Sequence, residues 1–139
     1  MIVRCDRRRM ADLACEEQSY CQQFIHLDEV DLVVGQEYLV FGQLKRNGRP
    51  WFLICENETD SYPKPHYAGF FEVVDSRIPP DWTTGPEDGN AGPFALLPTA
   101  WASNPRFLEN LIDGEAGATS IFEAVKEHLK NWHGRADAS

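Results

Sequence analysis

Cysteine and histidine are the residue types in this chain best able to hold a metal or supply a nucleophile, and three of the four cysteines lie near one end beside a histidine. Cys5, Cys15, Cys21 and His26 carry the donor atoms of a zinc site. The nine, five and four residues between them lack the short knuckles that pre-arrange a tetrahedron. They read as separate small thiols. A nucleophilic pair would need His66 or His128 to meet a cysteine in space, and no local signature marks such a meeting. Carboxylates are numerous enough for two to meet by chance, so acid–base chemistry is not marked either. Gly85, Gly89 and Gly92 are interrupted by Pro86, Glu87 and Asp88, whose charges would repel a phosphate. The expectation is a chain with no catalytic residues, no metal and no cofactor.

What remains is a binding surface. Glu56, Glu58, Asp60, Tyr62, His66, Tyr67, Asp75, Asp81 and Trp82 come from two polar stretches flanking the apolar run Phe70–Val74. Aromatic anchors within an acidic rim suit a tight interface with a basic protein, although any one acidic cluster can simply solvate a face. The chain has 22 Asp and Glu against 13 Lys and Arg, a net charge of −9. Arg4, Arg7, Arg8 and Arg9 sit together at the start, so the rest is more acidic still. That sign repels phosphate backbones and anionic lipids and steers a basic partner inward. Trp51, Phe52, Phe70 and Phe71 lie in runs that a core needs, which leaves little to stack nucleic acid. The expected partner is a basic protein, with no nucleic acid and no membrane.

The elements that must position this surface are mostly strands. Ile2–Cys5 predicts a short first strand, while residues 7–23 show no clean period. Tyr38, Val40 and Leu44 share one face of a strand whose other face mixes Glu37 and Gln43 with Leu39 and Phe41. Asn47-Gly48 then predicts a two-residue hairpin turn into Trp51–Cys55, because both residues accept positive φ. Residues 56–65 read as a loop, since Pro63 and Pro65 cannot donate to a ladder, and Phe70–Val74 completes a meander over 36–75. Residues 84–93 read as a Gly/Pro loop and Phe94–Leu97 as a short strand. Asn104 and Pro105 suit the start of a helix carrying Phe107, Leu108, Leu111 and Ile112, which Gly114 ends. Ser120 and Glu123 form a capping-box pattern for a last helix with a stripe of Ile121, Phe122, Val125, Leu129 and Trp132, ending before Gly134.

Strands first and helices last predict an α+β fold: a strongly bent antiparallel sheet or small SH3-like barrel with two C-terminal helices. At 139 residues a single domain 1–139 is expected, with an N-terminal segment 1–29, a β core over 30–98 and helices over 104–133. No secretion-type apolar segment follows Met1, and the cysteines lack paired spacing, so a cytoplasmic setting with reduced thiols is expected. The Asn57-Glu58-Thr59 sequon would then be silent.

Over residues 30–82 the chain resembles small bacterial immunity proteins encoded beside polymorphic toxins, including those of contact-dependent growth inhibition. The resemblance rests on Gly35, Tyr38, Phe41-Gly42, residues 51–55 (WFLIC), Tyr62-Pro63, residues 70–75 (FFEVVD) and residues 78–82 (IPPDW). It implies a cytoplasmic antitoxin that neutralises one cognate toxin domain by occlusion, commonly a nuclease with a basic cleft, and it implies no catalytic residues. Two other readings stand beside it: a general protein-interaction adaptor, and a small enzyme using a Cys/His or carboxylate site.

Overall fold

The computed structural model describes all residues except 27, 47–48, 58, 84–93, 103–105 and 138–139. Its strands form two antiparallel sheets. In the first, β1 (Ile2–Cys5) lies between β2 (Glu37–Leu39) and β6 (Phe71–Asp75), with Val3 opposite both Tyr38 and Val73. The second has the order β5-β4-β3-β8-β7, built from β3 (Gly42–Arg46), β4 (Arg49–Ile54), β5 (Lys64–Tyr67), β7 (Trp82–Thr83) and β8 (Phe94–Pro98).

The chain passes from β2 to β3 through a corner at Val40 and Phe41. Val40 N–H donates to Met1 O in the first sheet (3.1 Å), and Phe41 N–H donates to Leu53 O in the second (2.8 Å), so consecutive amides serve different sheets. Gly42 follows because a Cβ there would lie 2.8 Å from Leu97 Cδ2 and 3.0 Å from Leu53 Cδ1. The chain returns from β5 to β6 through a 3-10 turn at Ala68–Phe70. The fold is thus α+β, with two antiparallel sheets meeting at this corner, and among the described residues the strands do not close into a barrel.

Two expectations about the strands need correction. The polar stretch 56–65 hides part of β5, and Pro65 is accommodated because β5 is an edge strand, where a missing N–H costs no ladder bond. The apolar run at 71–75 does form a strand, but it pairs with β1 rather than continuing the meander. The ladder reaches Arg46 opposite Arg49, whereas the Asn47-Gly48 turn lies outside the described residues. So do the Gly/Pro loop at 84–93 and the Asn104-Pro105 cap.

Helices α1 (Cys15–Cys21), α2 (Thr99–Ala102), α3 (Phe107–Ile112) and α4 (Ala116–Asp137) complete the chain. Gly114 ends α3 at φ +78°, a conformation that glycine takes without strain. Helix α4 begins before Ser120 and runs past Gly134, and its inner stripe is Ala118, Phe122, Lys126, Leu129 and His133. Phe122 packs on Phe41 and Trp101 at ring separations of 5.3 and 5.9 Å, fastening α4 over the sheet corner. Among the described residues no helix is long and apolar enough to cross a membrane.

Candidate functional site

The corner and α4 enclose a cleft. One wall is the chain from Gln36 to Leu39 with Phe41, the second is Cys55–Asn57 at the end of β4, and the third is α4 with Lys126 and Lys130 one turn apart. Its volume is about 130 Å³, several times what a single water needs. Its lining is of mixed charge: Glu37 and Glu56 stand across from the two lysines, while Glu123 and Glu127 stand on the outer groove of α4.

Helix and loop are tied together at this place. Lys126, 8 % exposed, donates from Nζ to the Asp60 carbonyl oxygen at 3.2 Å and lies 3.9 Å from Glu123 Oε1. Its ammonium also stands 5.0 Å from the centre of the Phe122 ring. The Cys55 thiol beside it is pushed up to about 12, chiefly by burial and further by Asp60, Glu123 and Glu56, against the pull of Lys126. Burial likewise raises Cys21, to about 11, and Cys5. A nucleophilic cysteine needs the opposite shift.

Behind Glu56 His66 is 7 % exposed, and its Nε2 lies 3.4 Å from Glu56 Oε1 without making a hydrogen bond among the described residues. Burial holds its pKa down at about 4, with Lys64 adding to the effect, so the ring is neutral near pH 7. Burial raises the Glu56 carboxyl above its ordinary value, Lys64 opposing and Asp31 and Asp60 adding. Glu56 therefore faces a neutral ring from a side chain only 16 % exposed.

The nine residues expected to form one surface are dispersed. Glu56 lines the cleft and Asp60 meets Lys126 beside it, Tyr62 is partly buried against the core, and Glu58 lies outside the described residues. Tyr67 is buried, its hydroxyl donating to Glu17 Oε2 at 2.8 Å and accepting from Arg49 Nη1 at 3.2 Å. Trp82 is buried in the short strand opposite Pro98. Asp75 is engaged by Arg77, whose side-chain hydrogen bonds hold its carboxyl well below the usual range, and lies 3.4 Å from buried His133 Nδ1. Asp81 is exposed, 3.8 Å from His128 Nε2. His66, Tyr67 and Trp82 thus serve packing, and burial keeps them from acting as exposed anchors.

Glu37, Lys126 and Lys130 line the cleft and Glu123 stands beside it, and none of them is a site residue expected from the sequence. The i, i+4 pair of lysines following Phe122 is the one sequence signal that marks them. The four thiols are all free, and Cys15 and His26 are exposed while Cys5 and Cys21 are buried. Among the described residues no group of three His, Cys, Asp or Glu is placed to hold a metal ion. Comparison with known proteins finds no matching family model, no matching curated protein and no matching solved structure.

Proposed function

We propose that this chain is an immunity protein that binds a cognate toxin domain and blocks it by occlusion, a nuclease being the toxin class that its charge suits best. One observation carries the reading: Glu56 and Asp60 from the β4–β5 loop and Glu123 from α4 converge around Cys55, beside Glu37 from β2. Carboxylates from three separate segments make one acidic face, on a chain whose net charge is −9. Of the two lysines beside them, Lys126 is already committed to Asp60 and Glu123, and Lys130 is exposed. Such a face covers the basic cleft of an enzyme acting on a polyanion, and its charge speeds the encounter.

The test is co-expression with the product of the neighbouring gene. Co-purification together with restored growth of cells making that product supports the reading. A neighbour that neither binds nor is neutralised sinks it, and the general adaptor then stands in its place.

A further inference from the structure

We propose that the cleft under α4 receives one arginine side chain of the partner, with Glu56 and Glu37 accepting its guanidinium and Leu39 and Phe41 packing on its stem. This deepens the reading above and rests on it, since the arginine comes from the basic partner.

Glu56 carries a charge whose desolvation Lys64 offsets only in part. Glu56 lines the cavity with its side chain 16 % exposed, and its Oε1 lies 3.4 Å from Nε2 of buried His66, a nitrogen that makes no hydrogen bond among the described residues. A desolvated carboxylate facing a neutral ring is costly, and a cation delivered to it recovers that cost. Among the charges that act on Glu56, Lys64 is the largest and opposes the effect of burial, Asp31 and Asp60 add to it, and the carboxyl stays raised overall; neither lysine of α4 is among them. Lys126 is held by Asp60 and Glu123, and Lys130 is exposed at the rim, where a long stem can swing into water. The apolar wall at Leu39 and Phe41 suits the methylenes of arginine, and a planar fork can bond two carboxylates at once.

The experiment is an NMR titration of the isotope-labelled full chain with N-acetyl-arginine amide, alongside its neutral citrulline analogue and N-acetyl-aspartate amide. Saturable shifts are expected at Leu39, Phe41 and Cys55–Asn57, with nuclear Overhauser contacts from the arginine methylenes to Leu39 and Phe41. The citrulline analogue should bind at least about tenfold more weakly, as loss of a charge-assisted bond requires. Glu56→Gln should weaken arginine binding to a similar degree. If that variant does not fold, Glu37→Gln at the exposed rim should weaken it about threefold, a smaller loss because that carboxylate is more solvated. Equal binding of arginine and citrulline, unsaturating shifts spread over the surface, or preference for the aspartate probe would each overturn the proposal. The probe does not involve the toxin. A cleft that binds arginine in a chain that binds no neighbouring gene product overturns the immunity reading alone, whereas a toxin complex with an arginine-blind cleft overturns this inference alone.

Discussion

The ammonium of Lys126 donates to the carbonyl oxygen of Asp60 at 3.2 Å, joining residues 66 positions apart. This bond fixes the loop after β4 against α4, and with it the position of the cleft wall at Cys55–Asn57. Lys126→Ala removes a nearly buried charged donor and should cost about 1.5–3 kcal/mol. Lys126→Met keeps most of the stem packing and should recover part of that loss. Urea denaturation measures both. Equal stability of Lys126→Ala and the parent would show that the ammonium does not hold the loop.

Stability should fall as the pH is lowered from 6.5 toward 4, the ordinary and the folded pKa of His66. In that window the unfolded chain takes up a proton that the folded chain refuses, so acid favours unfolding. His133, also lowered chiefly by burial, acts in the same direction. Asp75 adds a loss only below the ordinary carboxylate range, where its bonds to Arg77 are protonated away. Thermal melts of His66→Gln should show a shallower pH dependence through this window, with His133 and, at its upper end, the Met1 amino group, lowered to about 6 by burial, supplying the remainder. Parallel curves for variant and parent would mean that His66 titrates normally.

The strands were legible where hydrophobic runs were long and buried, as in β4, whose last four residues are all buried. Strand β5 was not legible, because an edge strand can carry Lys64 and Pro65 without penalty, so its sequence looks like a loop. In α4 the apolar stripe read from sequence is rotated from the real one. Ile121 is 39 % exposed, while Lys126 and His133 take inner positions next to Phe122 and Leu129. Partners from distant segments allow this: Asp60 O for Lys126, and the Met1 amino group and Asp75 for His133. Periodicity marks apolar residues and cannot register a polar one whose bonds are supplied across the fold. The acidic surface was legible as composition but not as a place, since burial of Tyr67 and Trp82 depends on pairings such as Tyr67–Glu17 that no local pattern encodes.

The corner between the two sheets should be sensitive at Gly42. A side chain there meets Leu97 Cδ2 and Leu53 Cδ1, both in the core, and Gly42→Val should cost about 1–3 kcal/mol through overpacking. Trimming Leu97 to Ala in the same chain should make the two changes non-additive, because the second opens the space that the first needs. Additive losses in a double-mutant cycle would place the strain elsewhere.

Binding of a toxin should report the division between exposed and buried members of the acidic surface. Charge reversal at Glu37, Asp60 and Glu123 should slow association by about three- to tenfold at low salt, with the difference shrinking as salt screens the encounter. Tyr62 is partly exposed and follows Asp60 by two residues, and Tyr62→Ala should instead speed dissociation. Trp82→Ala and Tyr67→Ala should lower stability first, since both side chains are buried, and any weakening of binding should follow the unfolded fraction. Surface plasmon resonance at several salt concentrations, with melting curves on each variant, separates these effects. If the three charge reversals associate at the parental rate while Trp82→Ala remains fully folded and dissociates quickly, the partner contacts the β7 side of the molecule and the cleft under α4 is not its seat.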